Sequence, residues 1–311
     1  MEYKLLGNTR EKVSAIGLGS WKIGGSGGAE AVAALRAGFD EGITFMDTAE
    51  MYGTEPLVGK AIRGYDVFLA TKVLPTHLHY DDVIAACDAS LRRLGVRTID
   101  LYQVHWPNRS IPISETMRAM ERLVKDGKIR HIGVSNFTPA ETEEARAALK
   151  DNDLVSDQVE YSILVRDAEG DTLGYCAKEG LTLIAYSPLA HGALYDARHA
   201  DLLALLAGIG ERHGKTPTQV ALNWLIRNEP VIAIPKASSK KHAAELAGAA
   251  GWKLTRSDLA AIGEFLAGPG GRHPRLRGAG LVKRVPKFAD FATWMERRRL
   301  QKAGKGGRMA K

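Results

Sequence analysis

The sequence is poor in cysteine and has no long apolar run, and each absence excludes a class of protein. Its 311 residues include Cys87 and Cys176, which lie far apart without metal-ligand spacing and argue against a disulfide framework and a zinc site. No apolar stretch approaches the roughly 20 residues that span a bilayer, and residues 1–12 are charged where a signal peptide would be apolar. These absences predict a cytoplasmic protein without a membrane part and without a structural metal.

The net charge of +7 is concentrated at one end of the chain. Residues 272–311 contain 13 Lys or Arg and two acidic residues, a balance of +11, which leaves the first 271 residues at −4. A breaker run rich in Gly and Pro, residues 267–271, precedes the basic segment. We therefore predict a domain over residues 1–268 and a basic C-terminal extension over residues 269–311.

Several uses of this extension are open. Its aromatic residues Phe288, Phe291 and Trp294 can cover the mouth of the domain and touch substrate, or the segment can be a frayed, solvated end. A segment of charge +11 can also form an oligomer contact or attract nucleic acid. We favour a covering or frayed segment, expect a monomer or weak homo-oligomer, and expect no specific nucleic-acid partner.

Eight short apolar runs alternate with stretches of helical spacing, and this alternation predicts a (β/α)8 barrel. The runs end near Ser20, Asp47, Lys72, His105, Ser135, Gln158, Ser187 and Lys236. Successive ends lie 27, 25, 33, 30, 23, 29 and 49 residues apart, which is the length that a strand, a helix and two loops require. The clearest helices are predicted at 29–41, 81–94, 114–125, 139–150, 201–213 and 218–227. Eight βα units without a second pattern favour a TIM barrel over an open doubly wound sheet.

Two local signals refine this prediction. Residues 1–6 and 12–15 flank the turn residues Gly7 to Arg10, so we predict an N-terminal hairpin that plugs the barrel floor. Thr216 and Pro217 are typical of the N-cap and first turn of a helix, here the second helix before the last strand.

Four polar side chains lie at or just beyond the ends of the second, third and fourth runs, namely Asp47, Tyr52, Lys72 and His105. Barrel enzymes carry out their chemistry at the carboxyl ends of the strands, so this placement predicts an active site. Each residue also has a purely structural interpretation: a buried ion pair, a packed aromatic ring or a hydrogen-bonded core histidine. Their occurrence on neighbouring strands favours the functional interpretation.

The sequence around these residues resembles the aldo-keto reductase family. The motifs that carry the resemblance are residues 45–55, Ala70-Thr71-Lys72, Val104-His105-Trp106-Pro107, residues 133–137, Gln158, residues 185–189 and Ile234-Pro235-Lys236. They occur in order at barrel spacing, and the match runs from Gly17 to about Gly251. The resemblance implies reversible hydride transfer between a nicotinamide cofactor and an aldehyde or ketone.

The resemblance also assigns roles to the four polar residues. Negative charge develops on the carbonyl oxygen during hydride transfer, so the site needs a proton donor, and Tyr52 is the expected general acid. A free phenol has a pKa of about 10, which an ammonium group nearby lowers, and this is the expected role of Lys72. Asp47 would keep Lys72 charged and oriented, and His105 would hydrogen-bond the carbonyl oxygen.

The expected cofactor site lies on the barrel mouth and the last strands. Its predicted residues are Gly19, Ser20, Trp21, Asp47, Ser135, Asn136, Gln158, Tyr186, Ser187, Pro188, Leu189, Gly192, Ile234, Pro235, Lys236, Ser238, His242 and Glu245. The glycine-rich run 24–28 lacks the Gly-x-Gly-x-x-Gly spacing of a Rossmann fold and reads as a flexible first loop. NADPH is preferred over NADH because Lys236 begins a basic, hydroxyl-rich turn. The preference should be modest, since Ala237, His242 and Leu246 depart from the Ser, Arg and Asn of many relatives.

The predicted substrate pocket is lined by Trp21, Met51, Tyr52, His105, Trp106 and Asn136. The short loop from Asn108 to Ile113 implies a shallow pocket for small aldehydes and ketones. Two rival functions remain open: a nicotinamide-binding regulatory module with weak or no turnover, as in potassium-channel β subunits, and a metal-dependent barrel enzyme. The second is disfavoured because Lys72, between Asp47 and His105, would repel a cation.

Overall fold

The computed structural model describes residues 1–24 and 28–268. The chain begins with an antiparallel hairpin of β1 (Tyr3–Leu5) and β2 (Lys12–Ser14), in which Lys4 pairs with Val13. Gly7 turns the hairpin with a φ of +53°, and a Cβ there would lie 2.5 Å from a backbone oxygen of Val155. The turn is therefore pressed against the barrel, and the predicted hairpin is confirmed.

Eight parallel strands follow and form the barrel. They are β3 (Leu18–Gly19), β4 (Phe45–Asp47), β5 (Phe68–Val73), β6 (Ile99–Val104), β7 (Ile129–Ser135), β8 (Leu154–Glu160), β9 (Thr182–Tyr186) and β10 (Val231–Ile234), each paired with the next. A parallel bridge between Ile16 and Ala233 closes the ring, and Gly19 N–H donates to Pro235 O at 2.9 Å. Any Cβ on Gly19 would lie 2.9 Å from Ile234 O, so glycine permits this closure. The predicted (β/α)8 barrel is confirmed.

Helices surround the barrel between the strands. They are α1 (Gly28–Asp40), α2 (Glu55–Ile62), α3 (Tyr80–Leu94), α4 (Ile113–Lys125), α5 (Pro139–Ala147), α6 (Thr172–Glu179), α7 (Ala200–His213), α8 (Pro217–Ile226), α9 (Lys240–Ala247) and α10 (Arg256–Ala267). The long gap before β10 holds α7 and α8, as predicted. Thr216 caps α8 by accepting from Gln219 N–H, while the Gln219 side chain accepts from Thr216 N–H.

The barrel interior is apolar at its floor. Leu6 and Val13 of the hairpin pack there with strand residues, among which the rings of Phe45 and Phe68 stack at 5.7 Å between centroids. Lys4, on the hairpin, is buried and donates to the carbonyl oxygens of Ile226, Asn228, Glu229 and Val231 at 2.5–3.4 Å. Its ammonium thus caps the end of α8 and fixes the hairpin to the barrel.

Within residues 1–24 and 28–268, no helix combines the length and the apolar character needed to cross a membrane. The same residues contain no cluster of three His, Cys, Asp or Glu side chains suited to a metal. Cys87 and Cys176 are buried free thiols. The extension at 269–311, with its predicted aromatic contacts, and residues 25–27 of the first glycine-rich loop lie outside the described residues.

Candidate active site

A buried ion pair lies above the apolar floor of the barrel. Lys72 on β5 donates to Asp47 Oδ1 at 2.5 Å and to the Thr48 carbonyl oxygen at 2.9 Å. Neither side chain of the pair is more than 2 % exposed. Burial lowers the pKa of Lys72, and the carboxylates of Asp47 and then Glu55 oppose this effect. The two residues that the sequence placed on neighbouring strands therefore meet inside the barrel.

The second oxygen of Asp47 is held by two amides. Gln158 Nε2 on β8 donates to Asp47 Oδ2 at 2.9 Å, and Gln103 Nε2 on β6 lies at 3.4 Å. Gln103 is absent from the predicted site. The sequence could have identified Gln103, because it lies two residues before His105 and alternate residues of a strand face the same side. Asp47 thus joins three other strands across the barrel mouth.

Tyr52 lies in a short 3₁₀ turn, Glu50–Tyr52, that follows β4. Its hydroxyl is 3.5 Å from His105 Nε2, and Lys72 Nζ is 5.1 Å from the centre of its ring. Burial, followed by the charge of Asp47, raises the pKa of Tyr52 well above its usual range. This direction is opposite to the one expected from Lys72 alone, because burial and the charge of Asp47 both favour the neutral phenol. At neutral pH the phenol is protonated.

His105 follows β6 and is 5 % exposed. Burial, and then the charge of Lys72, holds the pKa of His105 well below its usual range, so its ring is neutral at neutral pH. A neutral imidazole carries one N–H. Its Nδ1 makes no hydrogen bond within the described part of the chain. Nε2 of His105 faces the phenol oxygen of Tyr52 at 3.5 Å, so that both atoms can reach one oxygen atom placed between them.

Three predicted nicotinamide contacts are brought together beside His105. Asn136 Nδ2 donates to the His105 carbonyl oxygen and to Ser135 Oγ, both at 3.0 Å. Tyr186 donates its hydroxyl proton to Asn136 Oδ1 at 2.9 Å, and Ser135 Oγ donates to Gln158 O at 2.8 Å. Asn136 adopts a φ of +64°, a left-handed conformation that Asn tolerates better than most residues. The hydrogen bonds fix the Asn136 side chain across β6, β7 and β9.

The remaining mouth residues lie on the loops after β3 and β9. Ser20 is buried and its Oγ accepts from Thr54 Oγ1 at 3.0 Å. Trp21 is half-buried, and its ring lies 5.3 Å from that of His191, which also lies 3.5 Å from a carboxylate oxygen of Glu160. The sequence analysis identified neither His191 nor Glu160. No motif marks either residue.

Backbone strain is concentrated at the same end of the barrel. The non-glycine residues with a left-handed φ, within the described residues, are Lys22, Asn136, Ser187, Ala190 and His191. Gly192 follows them with a φ of +90°. Strained backbone is common at binding sites, where the surrounding structure holds it. This pattern supports a function for the predicted segment that contains Ser187, Pro188, Leu189 and Gly192.

The predicted cofactor turn before α9 exposes Lys236, Ser238 and His242 together. The Oγ of Ser238 and Nδ1 of His242 are 2.7 Å apart, and Ser239 caps the helix by accepting from His242 N–H. Ala237 and Leu246 are buried, so these departures from the family pattern are directed into the core.

Another predicted cofactor contact, Glu245, already has a partner within the chain. Glu245 Oε1 accepts from Thr216 Oγ1 at 2.7 Å, which ties it to the start of α8. Among the predicted pocket residues, Trp21, Met51 and Trp106 are half-buried at the mouth. The short loop after β6 is fixed by Asn108, whose Nδ2 donates to Pro75 O at 2.9 Å and whose Oδ1 accepts from Ser110 N–H.

A barrel with this constellation defines a class of oxidoreductase, and comparison with known proteins agrees. The model of the aldo/keto reductase family matches residues 15–267, and the chain belongs to that family. It is 38% identical over 266 residues to methylglyoxal reductase YeaE of Escherichia coli, covering 83% of this chain and 93% of that protein. It is 35% identical over 250 residues to the glyoxal reductase of Bacillus subtilis, covering 78% and 85%.

A solved structure is similar over most of the barrel. The aldo/keto reductase of Klebsiella pneumoniae, in complex with NADP and acetate, superposes with a TM-score of 0.78 at 38% identity. The alignment covers 89% of this chain and 99% of that one. The resemblance stated from the sequence is thereby confirmed.

Proposed function

We propose that this protein reduces small aldehydes and ketones with NADPH, in a reversible hydride transfer. The observation that carries the proposal is the approach of two hydrogen-bonding groups, Tyr52 Oη and His105 Nε2, at 3.5 Å beside the buried pair of Lys72 and Asp47. A carbonyl oxygen between them would be oriented by His105 and protonated by Tyr52. These are the requirements of a reaction that develops negative charge on oxygen.

The donor set of the site fits a dinucleotide. Ser135, Asn136, Gln158 and Tyr186 offer amide and hydroxyl groups for a carboxamide and an aromatic face for a ring. Lys236, Ser238 and His242 would hold a phosphate at the other end. The nicotinamide supplies the hydride when bound. NADPH is the proposed cofactor, since close relatives of known structure bind NADP, and the preference should be modest because His242 lacks the permanent charge of Arg.

The protonation states of the site favour reduction at neutral pH. The raised pKa of Tyr52 keeps its proton available, and the lowered pKa of His105 keeps the imidazole neutral, so that it donates one hydrogen bond to the carbonyl. Lys72 then supports the phenolate that forms as Tyr52 gives up its proton, and Asp47 holds Lys72 in place. The chain's residues thus bind, orient and protonate the substrate.

The substrates we propose are small and reactive aldehydes, including dicarbonyl compounds. Within the described residues, the loop after β6 is short and leaves the mouth of the barrel open on that side, which favours small ligands. The relatives named above are called methylglyoxal and glyoxal reductases, which supports this choice.

The test follows NADPH absorbance with methylglyoxal, glyoxal, simple aldehydes and steroid ketones. We expect turnover of the small compounds and a loss of at least about 100-fold in kcat for Tyr52→Phe, the range of general acid catalysis. Tyr175→Phe removes a surface hydroxyl that donates to Glu143 and is the matched control. Equal rates for wild type and Tyr52→Phe would contradict the mechanism. Tight NADPH binding without any turnover would favour the regulatory alternative.

A further inference from the structure

The turn that carries Tyr52 is bracketed by two carboxylates, Glu50 and Glu55. Glu55 contacts β5, the strand that carries Lys72, and Glu50 contacts the first residue after that strand, although neither belongs to the site described above. Glu50 contacts the chain two residues after Lys72, and Glu55 contacts it one residue before. The two contacts therefore lie on either side of Lys72.

The contact after Lys72 is made by Glu50, whose side chain is 12 % exposed. Its Oε2 accepts from the backbone N–H of Leu74 at 3.0 Å, and its Oε1 lies 3.0 Å from His77 Nδ1. A carboxylate that accepts from a backbone N–H makes a charge-assisted hydrogen bond, which is stronger than a neutral one. Glu50 thus ties the 3₁₀ turn to the loop that follows β5.

The contact before Lys72 is made by Glu55, which is fully buried. Its Oε1 accepts from Thr71 Oγ1 at 2.8 Å, and its Oε2 accepts from Arg93 Nε at 2.5 Å. Because Glu55 is the first residue of α2, this contact fixes the chain three residues after Tyr52. The charge of Glu55 also acts on Lys72: burial lowers the pKa of Lys72, and Glu55, after Asp47, opposes that lowering.

The phenol of Tyr52 has fewer and longer contacts than the carboxylates of Glu50 and Glu55. Its hydroxyl makes one long contact, 3.5 Å to His105, and Lys72 faces its ring at 5.1 Å. Other contacts fix the flanks of the turn, since Lys72 donates to Thr48 O and Thr54 donates to Ser20. Within the turn itself, the Glu50 side chain makes a shorter hydrogen bond than Tyr52 does, accepting from Leu74 N–H at 3.0 Å.

We propose that Glu50 and Glu55 are positioning residues that clamp the Tyr52 turn onto β5 and the loop that follows it, and so set the separation of Tyr52 and Lys72. The inference rests on the proposed function of Tyr52 as the proton donor. Proton transfer depends steeply on such distances, and a displacement of about 1 Å can lower a rate about 100-fold. Loosening one end of the clamp is expected to have a smaller effect.

The test uses Glu50→Ala, Glu50→Gln and a matched control. We expect Glu50→Ala to lower kcat about 10-fold with the KM for NADPH unchanged, and Glu50→Gln to recover part of the loss because its amide oxygen can still accept from Leu74 N–H. Glu115→Ala is the control, because Glu115 makes the same pair of contacts with Tyr80 N–H and His79 Nδ1 at the start of α3. It should stay within about 2-fold of wild type, as distant surface positions do.

A readout that a merely structural role would not move comes from the Tyr52→Phe background. If Glu50 acts through the phenol, Glu50→Ala should change the residual rate of Tyr52→Phe by less than about 2-fold, since coupled residues are non-additive. Thr71→Val, which removes the hydroxyl that Glu55 accepts from, should show the same loss and the same coupling. The isotope effect on kcat with deuterated NADPH should rise in both variants as proton and hydride transfer become slower.

Two results would overturn the clamp. One is wild-type kcat in Glu50→Ala and Thr71→Val, and the other is an equal loss in the wild-type and Tyr52→Phe backgrounds. Either can occur while Tyr52→Phe shows its expected large loss of kcat with a measurable residual rate, in which case the proposed function stands and the clamp alone fails. Full activity of Tyr52→Phe would instead remove the proposed function, on which the clamp depends.

Discussion

The pKa directions in the site predict opposite pH dependences for the two directions of the reaction. In the proposed mechanism, reduction needs the protonated phenol of Tyr52, and oxidation of an alcohol needs the phenolate. Burial and Asp47 raise the pKa of Tyr52, so its proton is retained throughout the neutral range. His105 stays neutral over the same range because burial and Lys72 lower its pKa. Neither group should therefore change the rate of reduction between about pH 6 and 9.

The magnitude follows from the ordinary pKa of tyrosine, about 10, which is a lower bound for a group whose pKa is raised. At pH 7 the phenolate is then at most about one part in 1,000 of the protein, and this fraction rises about tenfold for each pH unit. We expect kcat/KM for alcohol oxidation to rise with a slope near one from pH 7 to 9.

The assay measures kcat/KM at constant ionic strength from pH 6 to 10, with an aldehyde and NADPH in one direction and the matching alcohol and NADP in the other. Tyr52→Phe is the control, since its residual oxidation should lose the slope. A flat oxidation profile for wild type between pH 7 and 9 would refute the reasoning. So would a reduction rate that falls through the neutral range, because both results require a phenol more acidic than the site allows.

Three further predictions concern cofactor choice and stability. His242→Arg should raise the ratio of kcat/KM for NADPH over NADH by about 10-fold, because a guanidinium binds a phosphate with two parallel hydrogen bonds. An unchanged ratio would mean that the 2′-phosphate does not bind beside His242. Asp258→Asn should lower the melting temperature by about 4 °C, since the buried carboxylate caps α10 and pairs with Arg212 and His213. Those contacts lower the pKa of Asp258, so their stabilisation is present above pH 4 and lost below it, which acid titration of the melting temperature checks. Lys4→Met should destabilise the fold by about 2–3 kcal/mol in urea unfolding, because it removes the ammonium that donates to the carbonyl oxygens of Ile226, Asn228, Glu229 and Val231.

The fold was predictable because each level of the sequence agrees with the next. Apolar runs at regular spacing specify buried parallel strands, and a polar residue at the end of such a run must lie at the barrel mouth. The positions of Asp47, Lys72 and His105 follow from that rule alone. Strand ends were placed within two residues for the same reason, with β8 extending to Glu160 rather than Gln158.

The parts that were missed depend on contacts that have no periodic signal. Gln103 shares a strand face with His105 and could have been inferred from alternation, whereas Glu50 and Glu160 act through partners 24 and 31 residues away. Such pairings are set by how loops pack after the barrel closes. The direction in which the pKa of Tyr52 shifts could not be predicted from the sequence either, because it depends on the balance of burial and charge around the phenol. That balance exists only in the folded chain.

Variants that remove the charges of Lys72 and Asp47 test whether this buried pair serves the stability of the barrel or its chemistry. Lys72→Met alone leaves Asp47 buried without a cation and should destabilise the fold by about 3–5 kcal/mol. The double variant Asp47→Asn with Lys72→Met removes both charges and retains an amide oxygen that Gln158 can donate to. It should recover stability to within about 1 kcal/mol of wild type, because a buried pair gains little over neutral groups of similar size. Urea unfolding of wild type, Lys72→Met, Asp47→Asn and the double variant gives the coupling, and NADPH turnover gives the activity. If Lys72→Met proves as stable as wild type, the pair is not desolvated as its burial implies. A stable and inactive double variant instead means that the barrel retains these charges for the reaction of Tyr52.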